Sequence, residues 1–217
     1  MGVEWVAGLL VVFAVLCLGG AAWLFFRETW FLQWLRGTAG FLLAAAALYA
    51  VLIAASLFKY QGVRSDVPMA TLSFENMAPQ QWRITIAESN GDRRVHELQG
   101  DLWQLDVRLL RYKGLGAMFD TPPSFELERL SGRYFSLEDE AAKDHGDFLL
   151  VTRPALGFDM WESTYENGSA IAEASRTNVS MVPAADGAIF ELRMGETGLA
   201  VVPANSAAED ALKSVGN

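Results

Sequence analysis

The sequence predicts an N-terminal transmembrane α-helical hairpin followed by a mostly antiparallel β domain. Three observations carry this expectation. Two long runs near the N-terminus hold no ionisable acid or base. The remainder falls into short stretches of alternating polarity, separated by turn residues. Only one or two segments show helical patterning, and both are short. Whether the strands stack as a sandwich or curl into a barrel-like form is left open, because both give the same strand signals.

The first run, Val6 to Phe26 (VAGLLVVFAVLCLGGAAWLFF), has 21 residues, and the second, Gly37 to Phe58 (GTAGFLLAAAALYAVLIAASLF), has 22. About 20 residues at about 1.5 Å each cross a hydrocarbon core of about 30 Å, so each run suffices for one span. The spans are placed at about 4–26 and 37–58, making residues 1–58 the hairpin. Arg27 to Arg36 joins them as a short charged elbow. The first run reads as a retained anchor, because its N-terminal flank carries Glu4 and no Lys or Arg, unlike a cleaved signal. Trp5, Trp23, Trp30, Trp34 and Tyr60 fall at or near the run ends, where aromatic rings suit the interface. Tyr49 sits well inside the second run and does not fit that pattern.

Arg27 and Arg36 in the elbow balance Lys59 and Arg64 beyond the second run, so the first helix decides the orientation and favours the elbow inside. Both termini then lie outside the cytoplasm, which places the following domain in the periplasm of a Gram-negative cell and the hairpin in its inner membrane. Ala46, Ala50 and Ala54 recur every fourth residue as a helix-packing stripe. Its partner is the first helix, a second protomer or another membrane protein. Proton- or ion-coupled transport normally needs ionisable or broken-helix features at the midplane, and neither run has a charge. The pair therefore reads as an anchor in the lipid bilayer.

Residues 59–68 read as a linker, 69–203 as a soluble β-rich domain and 204–217 as a flexible tail of small and polar residues. The net charge is −9, and all of it lies beyond the elbow, since Glu4 and Glu28 offset Arg27 and Arg36. An acidic surface argues against nucleic acid or an anionic membrane face as partner. The single Cys17 lies inside the first run, so no intrachain disulfide or thiolate cluster is available. The sequons at Asn167 and Asn178 matter only in a eukaryotic secretory pathway.

Along the domain, Met69–Phe74 and Gln81–Glu88 are expected strands, the second with Trp82, Ile84 and Ile86 at every other position. Ser89 to Asp92 contains Asn-Gly and makes a hairpin turn before a strand at Arg93–Leu98. Leu102–Tyr112 alternates until Leu110, where a bulge or the strand's end is expected. A Gly/Pro-punctuated loop follows at Gly114–Pro123, then a strand at Phe125–Leu130. Ser136–Asp144 is expected to be helical, with Ser136 as cap and Asp139 at the capping-box position. Phe148–Thr152 reads as a strand and Asp159–Glu166 as a helix. Strands at Asn178–Pro183, Ala188–Met194 and Gly198–Pro203 complete the domain, the last two joined as a hairpin.

No catalytic constellation emerges. Asp144, His145 and Asp147 set two carboxylates beside an imidazole, yet nothing completes a metal or acid–base site at recognisable spacing, so a solvated turn is expected. His96 reads as surface, and Glu138 to Glu140 as a solvated acidic face. Ser56 and Lys59 match S-x-x-K formally, but Ser56 lies in the second run and no companion motif follows. The candidate partner-binding residues are Arg129, Arg133 and Tyr134 in RLSGRY, together with Trp103 and Trp161. A tryptophan in a strand is more often core, and RLSGRY is also a plausible turn packed over the sheet. Neither cofactor nor metal is expected.

Three stretches carry a family resemblance: GDLWQLDVRLLRYKGL at Gly100–Leu115, LERLSGRYFSLE at Leu127–Glu138 and ADGAIFELRMGETGL at Ala185–Leu199. With the hairpin, they resemble small gammaproteobacterial, pseudomonad-like two-helix inner-membrane proteins labelled "multidrug transporter" or "cation/multidrug efflux pump". The resemblance implies a bacterial inner membrane and no catalytic residues. Two uncharged helices cannot enclose a transport path unless many copies assemble or the chain serves a larger pump. The expected function is thus that of a non-enzymatic envelope protein whose acidic domain binds a protein partner, as accessory to an efflux or other envelope complex. The alternative is a transporter component acting through self-association as a homo-oligomer, lined by Thr38, Ser56 and the alanine stripe.

Overall fold

The computed structural model describes residues 2–25, 30–57, 60–63, 67–114, 117, 121–152, 157–195 and 198–215. In chain order the elements are α1 (Gly2–Phe25), α2 (Trp30–Leu57), β1 (Gln61–Gly62), β2 (Ala70–Ala78), β3 (Gln81–Glu88), β4 (Arg93–Gln99) and β5 (Leu102–Tyr112). There follow β6 (Ser124–Arg133), α3 (Leu137–Ala142), β7 (Asp147–Leu149), α4 (Met160–Asn167), β8 (Ala172–Pro183), β9 (Ile189–Gly195), β10 (Gly198–Pro203) and α5 (Ser206–Val215). Two compact units result. One comprises Met1–Gly62, Arg111–Pro122 and Thr152–Ala174; the other comprises Val63–Leu110, Pro123–Val151 and Ser175–Asn217. Compactness therefore does not divide the chain near residue 58, because two later segments belong with the helical pair.

In the first unit, α1 and α2 are the two expected apolar helices, each long and apolar enough to cross a membrane. The second starts earlier than expected: Trp30 to Arg36 is helical, since these residues include no Gly, Pro or Asx breaker before Gly37. Arg27, Glu28, Phe58, Lys59 and Arg64 lie outside the described residues. The helices meet along a seam of small side chains. Ala7, Ala14, Cys17 and Ala21 are buried on α1, and Gly40, Ala47, Ala50, Ala54 and Leu57 on α2. With Leu10 and Leu43 packed against that core, the spacing alternates between three and four, the period of a coiled-coil seam. The large residues point the other way: Val12, Phe13, Leu16, Phe41, Leu42 and Leu48 are all exposed.

The expected stripe thus differs at one of its three positions. Ala50 and Ala54 are in the seam, but Ala46 is exposed and Ala47 takes its place, because a straight i, i+4 row drifts off a seam whose repeat averages 3.5. Ala50→Leu is expected to overfill the seam at a cost of about 1–3 kcal/mol, whereas Ala46→Leu leaves stability unchanged. Thermal melts of the full chain in detergent distinguish the two.

The C-terminal third of α2 also holds α4. Ser56, fully buried, accepts the Met160 backbone N–H at 2.8 Å. Tyr49, anomalous within an apolar run, has its ring edge against Phe158 at 5.9 Å between centroids. Asp159 caps α4, accepting from the N–H groups of Trp161 and Glu162, and also receives the Tyr60 hydroxyl at 3.3 Å.

The second unit contains two sheets, and they do not close into a barrel. One has the order β10-β9-β2-β3-β4; in the other, β5 lies between β6 and β8, and β7 pairs with β6. Leu72, Phe74, Ile84 and Ile86 from the first and Trp103, Leu105, Val107, Phe125 and Leu127 from the second belong to one buried core, the arrangement of a sandwich. The β3–β4 hairpin turns at Asn90-Gly91 as expected, with Gly91 at φ +93° and Asn90 accepting from the Asp92 N–H.

β6 runs further than the alternation at Phe125–Leu130 predicts. Asp106 pairs with Arg129 and Val107 with Leu127, so Glu128 is an extra residue, a bulge. The irregularity expected near Leu110 of β5 lies instead across the ladder, on its partner. It brings Leu127 and Leu130, three apart, into the core together, and Glu128 is itself buried. Arg176 grips the Glu128 carboxylate at 2.6 and 2.8 Å, and Arg108 donates to it at 3.2 Å. Nearby, Gly132 lies so close to other backbone that a Cβ would meet the Gln99 carbonyl at 1.8 Å and the His145 carbonyl at 2.4 Å.

The flexible tail expected over 204–217 is a helix up to Val215. Asn205 caps it, accepting from Ala208 and Ile189 N–H groups and donating to the Gly187 carbonyl, and Ala208 and Ala211 enter the core. Small side chains allow that close packing, which is why the stretch looks featureless as sequence.

Candidate functional site

The neighbourhood of RLSGRY is built from the end of β6, the turn after it and α3. Ser136 caps α3, accepting from the Glu138 N–H at 3.3 Å, while Asp139 pairs with Lys143. The helix returns Glu140 to the strand end. Its carboxylate accepts from Arg133 Nη1 at 2.8 Å and from the Tyr134 N–H at 2.8 Å, and His145 Nε2 lies 3.3 Å away. The Tyr134 hydroxyl donates to the Asp144 carbonyl at 2.9 Å, and Lys143 lies over its ring at 5.3 Å. Asp101 receives the Phe135 N–H on one oxygen and the Gln80 amide on the other.

Burial alone would raise the Glu140 carboxyl, but the Tyr134 N–H, the Arg133 guanidinium and the nearby His145 outweigh it and hold it below the ordinary value of about 4.5. A carboxyl depressed in the fold contributes stability above its unfolded value and loses it as pH falls through the folded one. Glu140→Gln is therefore expected to lower the urea midpoint at pH 7 and to have a shrinking effect below about pH 4.5. The Tyr134 phenol is raised, first by burial and then by the neighbouring carboxylates, against the lowering effect of Lys143. Both partners of this network stay in their hydrogen-bonding forms at neutral pH.

The structure separates the sequence candidates. Arg133 and Tyr134 lie in this network, so Tyr134 is largely buried within it and does not reach outward as a free ring. Arg129 stands apart, pairing with Asp147 at 3.4 Å. Trp103 is fully buried between Phe74 and Phe190, and Trp161, also buried, stacks on Tyr165 at 4.7 Å. Neither tryptophan offers its face to a partner, because each fills its own interior. Asp144, His145 and Asp147 point to different groups: Gly146 N–H, Glu140 and Arg129 respectively. Among the described residues no cluster of three His, Cys, Asp or Glu side chains converges on a metal position. His96, expected at the surface, is half-buried with its ring 4.8 Å from Phe148, and its pKa is lowered first by burial and then by Arg94.

Beside this network three large apolar side chains are exposed. Leu137 is 87 % exposed, Phe135 63 % and Met181 60 %. They rim a groove of about 490 Å³ whose lining includes Gln104 of β5 and Asn178 and Ser180 of β8. Met181 has φ +61°, a left-handed backbone uncommon for a side-chain-bearing residue. Sequence reasoning missed these three. The available signal was YFSLEDE: two large apolar residues flank a capping serine on a helix too short and acidic to bury them. The groove is lined by amide and hydroxyl groups and by the charged pair Arg133 and Glu140 as well as by these apolar side chains, and Glu138 and Asp139 stand with Glu140 in the acidic first turn of α3. The chain matches no protein-family model, no curated protein and no solved structure in the comparisons made.

Proposed function

We propose that this chain is a membrane-anchored, non-enzymatic protein of the bacterial envelope whose β-rich unit docks a protein partner. The observation that carries the reading is the reversed packing of α1 and α2, with small residues inside and large apolar residues outside. A helix pair in water hides its large side chains, whereas lipid accepts them, and close helix approach then rests on Gly, Ala and Cys. The docking face is the groove rimmed by Phe135, Leu137 and Met181, since large apolar side chains exposed beside a polar network suit a partner's core contacts. The absence of basic residues before the first helix favours the elbow inside and the β-rich unit in the periplasm, the family resemblance favours the inner membrane, and an efflux or other envelope complex is the kind of assembly it would serve. The homo-oligomeric transporter has less support. Ala47, Ala50 and Ala54 are spent inside the hairpin, the Thr38 hydroxyl donates to the Trp34 carbonyl, and Ser56 is engaged by Met160.

Two measurements test this. The full chain should remain in the membrane fraction after alkaline carbonate extraction; release into the supernatant would remove the anchor. A photoreactive amino acid placed in cells at Leu137 or Met181 should capture the same envelope protein, while one at the exposed Val95 of β4 should not. Capture at Val95 alone would move the docking face elsewhere.

A further inference from the structure

Tyr49 and Ile53 of α2, together with Phe158, Met160, Ser163 and Thr164, enclose a crevice of about 300 Å³, closed by residues 168–171. That volume is at the small end of ligand pockets, about 300–1,000 Å³. None of its ten lining residues is charged. The wall is fixed rather than accidental: Met160 is tied to Ser56 at 2.8 Å, the Lys113 N–H donates to the Ile171 carbonyl at 2.9 Å, and a Cβ on Gly114 would meet the Ala170 carbonyl at 2.9 Å.

We infer that this crevice binds an acyl chain of a bilayer phospholipid. The inference rests on the membrane-anchor reading above. Its floor belongs to a helix whose neighbouring outward residues, Leu48 among them, are large, apolar and exposed, so the crevice opens from the surface that lipid would cover. With 28 residues, α2 is about 42 Å long, about 12 Å more than a 30 Å hydrocarbon core requires. The excess need not all lie at the Arg36 end, and we place the emerging end at Tyr49, Ile53 and Ser56, which residues 158–171 clothe, so that the span ends earlier than the 37–58 expected from the apolar run. On that placement Tyr49, which the apolar run alone puts inside the span, lies at the boundary instead, where an aromatic ring with a hydroxyl suits the headgroup level. Apolar side chains face the tail, and the hydroxyls of Ser163, Thr164 and Ser169 are available to an ester carbonyl. Ser169 Oγ already accepts the Ile171 N–H at 3.2 Å, which leaves its own proton to donate. A free fatty acid fits less well, because its carboxylate would find no Lys or Arg in the lining.

The test is photolabelling of the full chain in vesicles of phosphatidylethanolamine and phosphatidylglycerol containing a phosphatidylethanolamine with an acyl-chain diazirine. Adducts mapped by mass spectrometry are expected at Phe41, Leu42 and Leu48 and also at Tyr49 and residues 158–171. Ser163→Trp, which fills the crevice, should reduce the second set about tenfold and leave the first unchanged; Ala170→Trp provides an independent obstruction. Labelling of the α2 outer face without residues 158–171 overturns the lipid site while keeping the anchor. Labelling of 158–171 that neither tryptophan reduces also overturns it. Absence of label at every site removes the anchor reading and the lipid site together.

Discussion

Gly132→Ala is expected to unfold the β-rich unit or cost it about 4 kcal/mol or more, which lies in the exceptional range for a single substitution. The added carbon would sit 1.8 Å from the Gln99 carbonyl oxygen and 2.4 Å from that of His145. Both are backbone atoms, so no side-chain rotation relieves the clash, and β6 would have to move away from the end of β4. That movement would also break the Gly132 N–H contacts to the His145 and Gly146 carbonyls, each 3.2 Å long. Gly91→Ala is the control: its φ of +93° strains any side chain, but nothing lies within 4 Å of the new carbon, so a loss of about 1 kcal/mol is expected. In thermal melts the first variant should fall by about 10 °C or fail to fold, and the second by a few degrees. A Gly132→Ala melt within about 3 °C of the parent would show that the strands do not cross as closely as described.

The second large effect is at Glu128. Its side chain is 7 % exposed and receives two guanidinium groups, from Arg108 and Arg176. A buried ion pair adds little over an apolar replacement of both partners, yet removing this carboxylate takes away the acceptor that two guanidinium groups share. Glu128→Ala is expected to cost about 3–5 kcal/mol. Glu128→Gln, which keeps the shape and loses the charge, should fall between that and the parent. Glu97→Ala removes an exposed contact to Arg83 at 3.8 Å and should change stability by less than about 1 kcal/mol. Urea unfolding of the three variants gives the order, and equal losses at Glu97 and Glu128 would refute the buried role.

Much of this architecture was legible in the sequence because it obeys simple periods. β3 and β5 have the bounds that alternation predicts, and Asn90-Gly91 turns where such a pair should. The apolar runs become helices because no Pro interrupts them, and their glycines are too few to outweigh the Leu and Ala around them. The illegible parts have local causes. A bulge shifts the phase at Glu128, so Leu127 and Leu130 look mismatched until the extra residue is counted. The seam of α1 and α2 follows a three–four spacing that an every-fourth-residue count gets wrong at Ala46. The helix α5 buries alanines, whose signal in a hydropathy profile is weak. At the candidate site, Arg133 and Tyr134 were visible as a cluster, but their partner Glu140 was hidden in an acidic run. Phe135, Leu137 and Met181 gave no periodic signal, since exposure of a large residue breaks the rules by which patterns are read.

The hydrogen bond from Met160 to Ser56 joins positions 104 residues apart. A ribosome adding about 5–20 residues per second needs about 5–20 s to make the intervening chain. During that interval α1 and α2 can already pair, because their seam is local, but the end of α2 waits uncovered for a segment not yet synthesised. Assembly is therefore ordered in time: local closure of the helix pair first, then the sealing of α2 by residues 158–171 once β2 to β7 have been made, and completion of the sandwich only when β8 to β10 follow. A nascent chain arrested before residue 157 would present Tyr49, Ile53 and Ser56 bare, a surface that either the translocation machinery shields or proteases find.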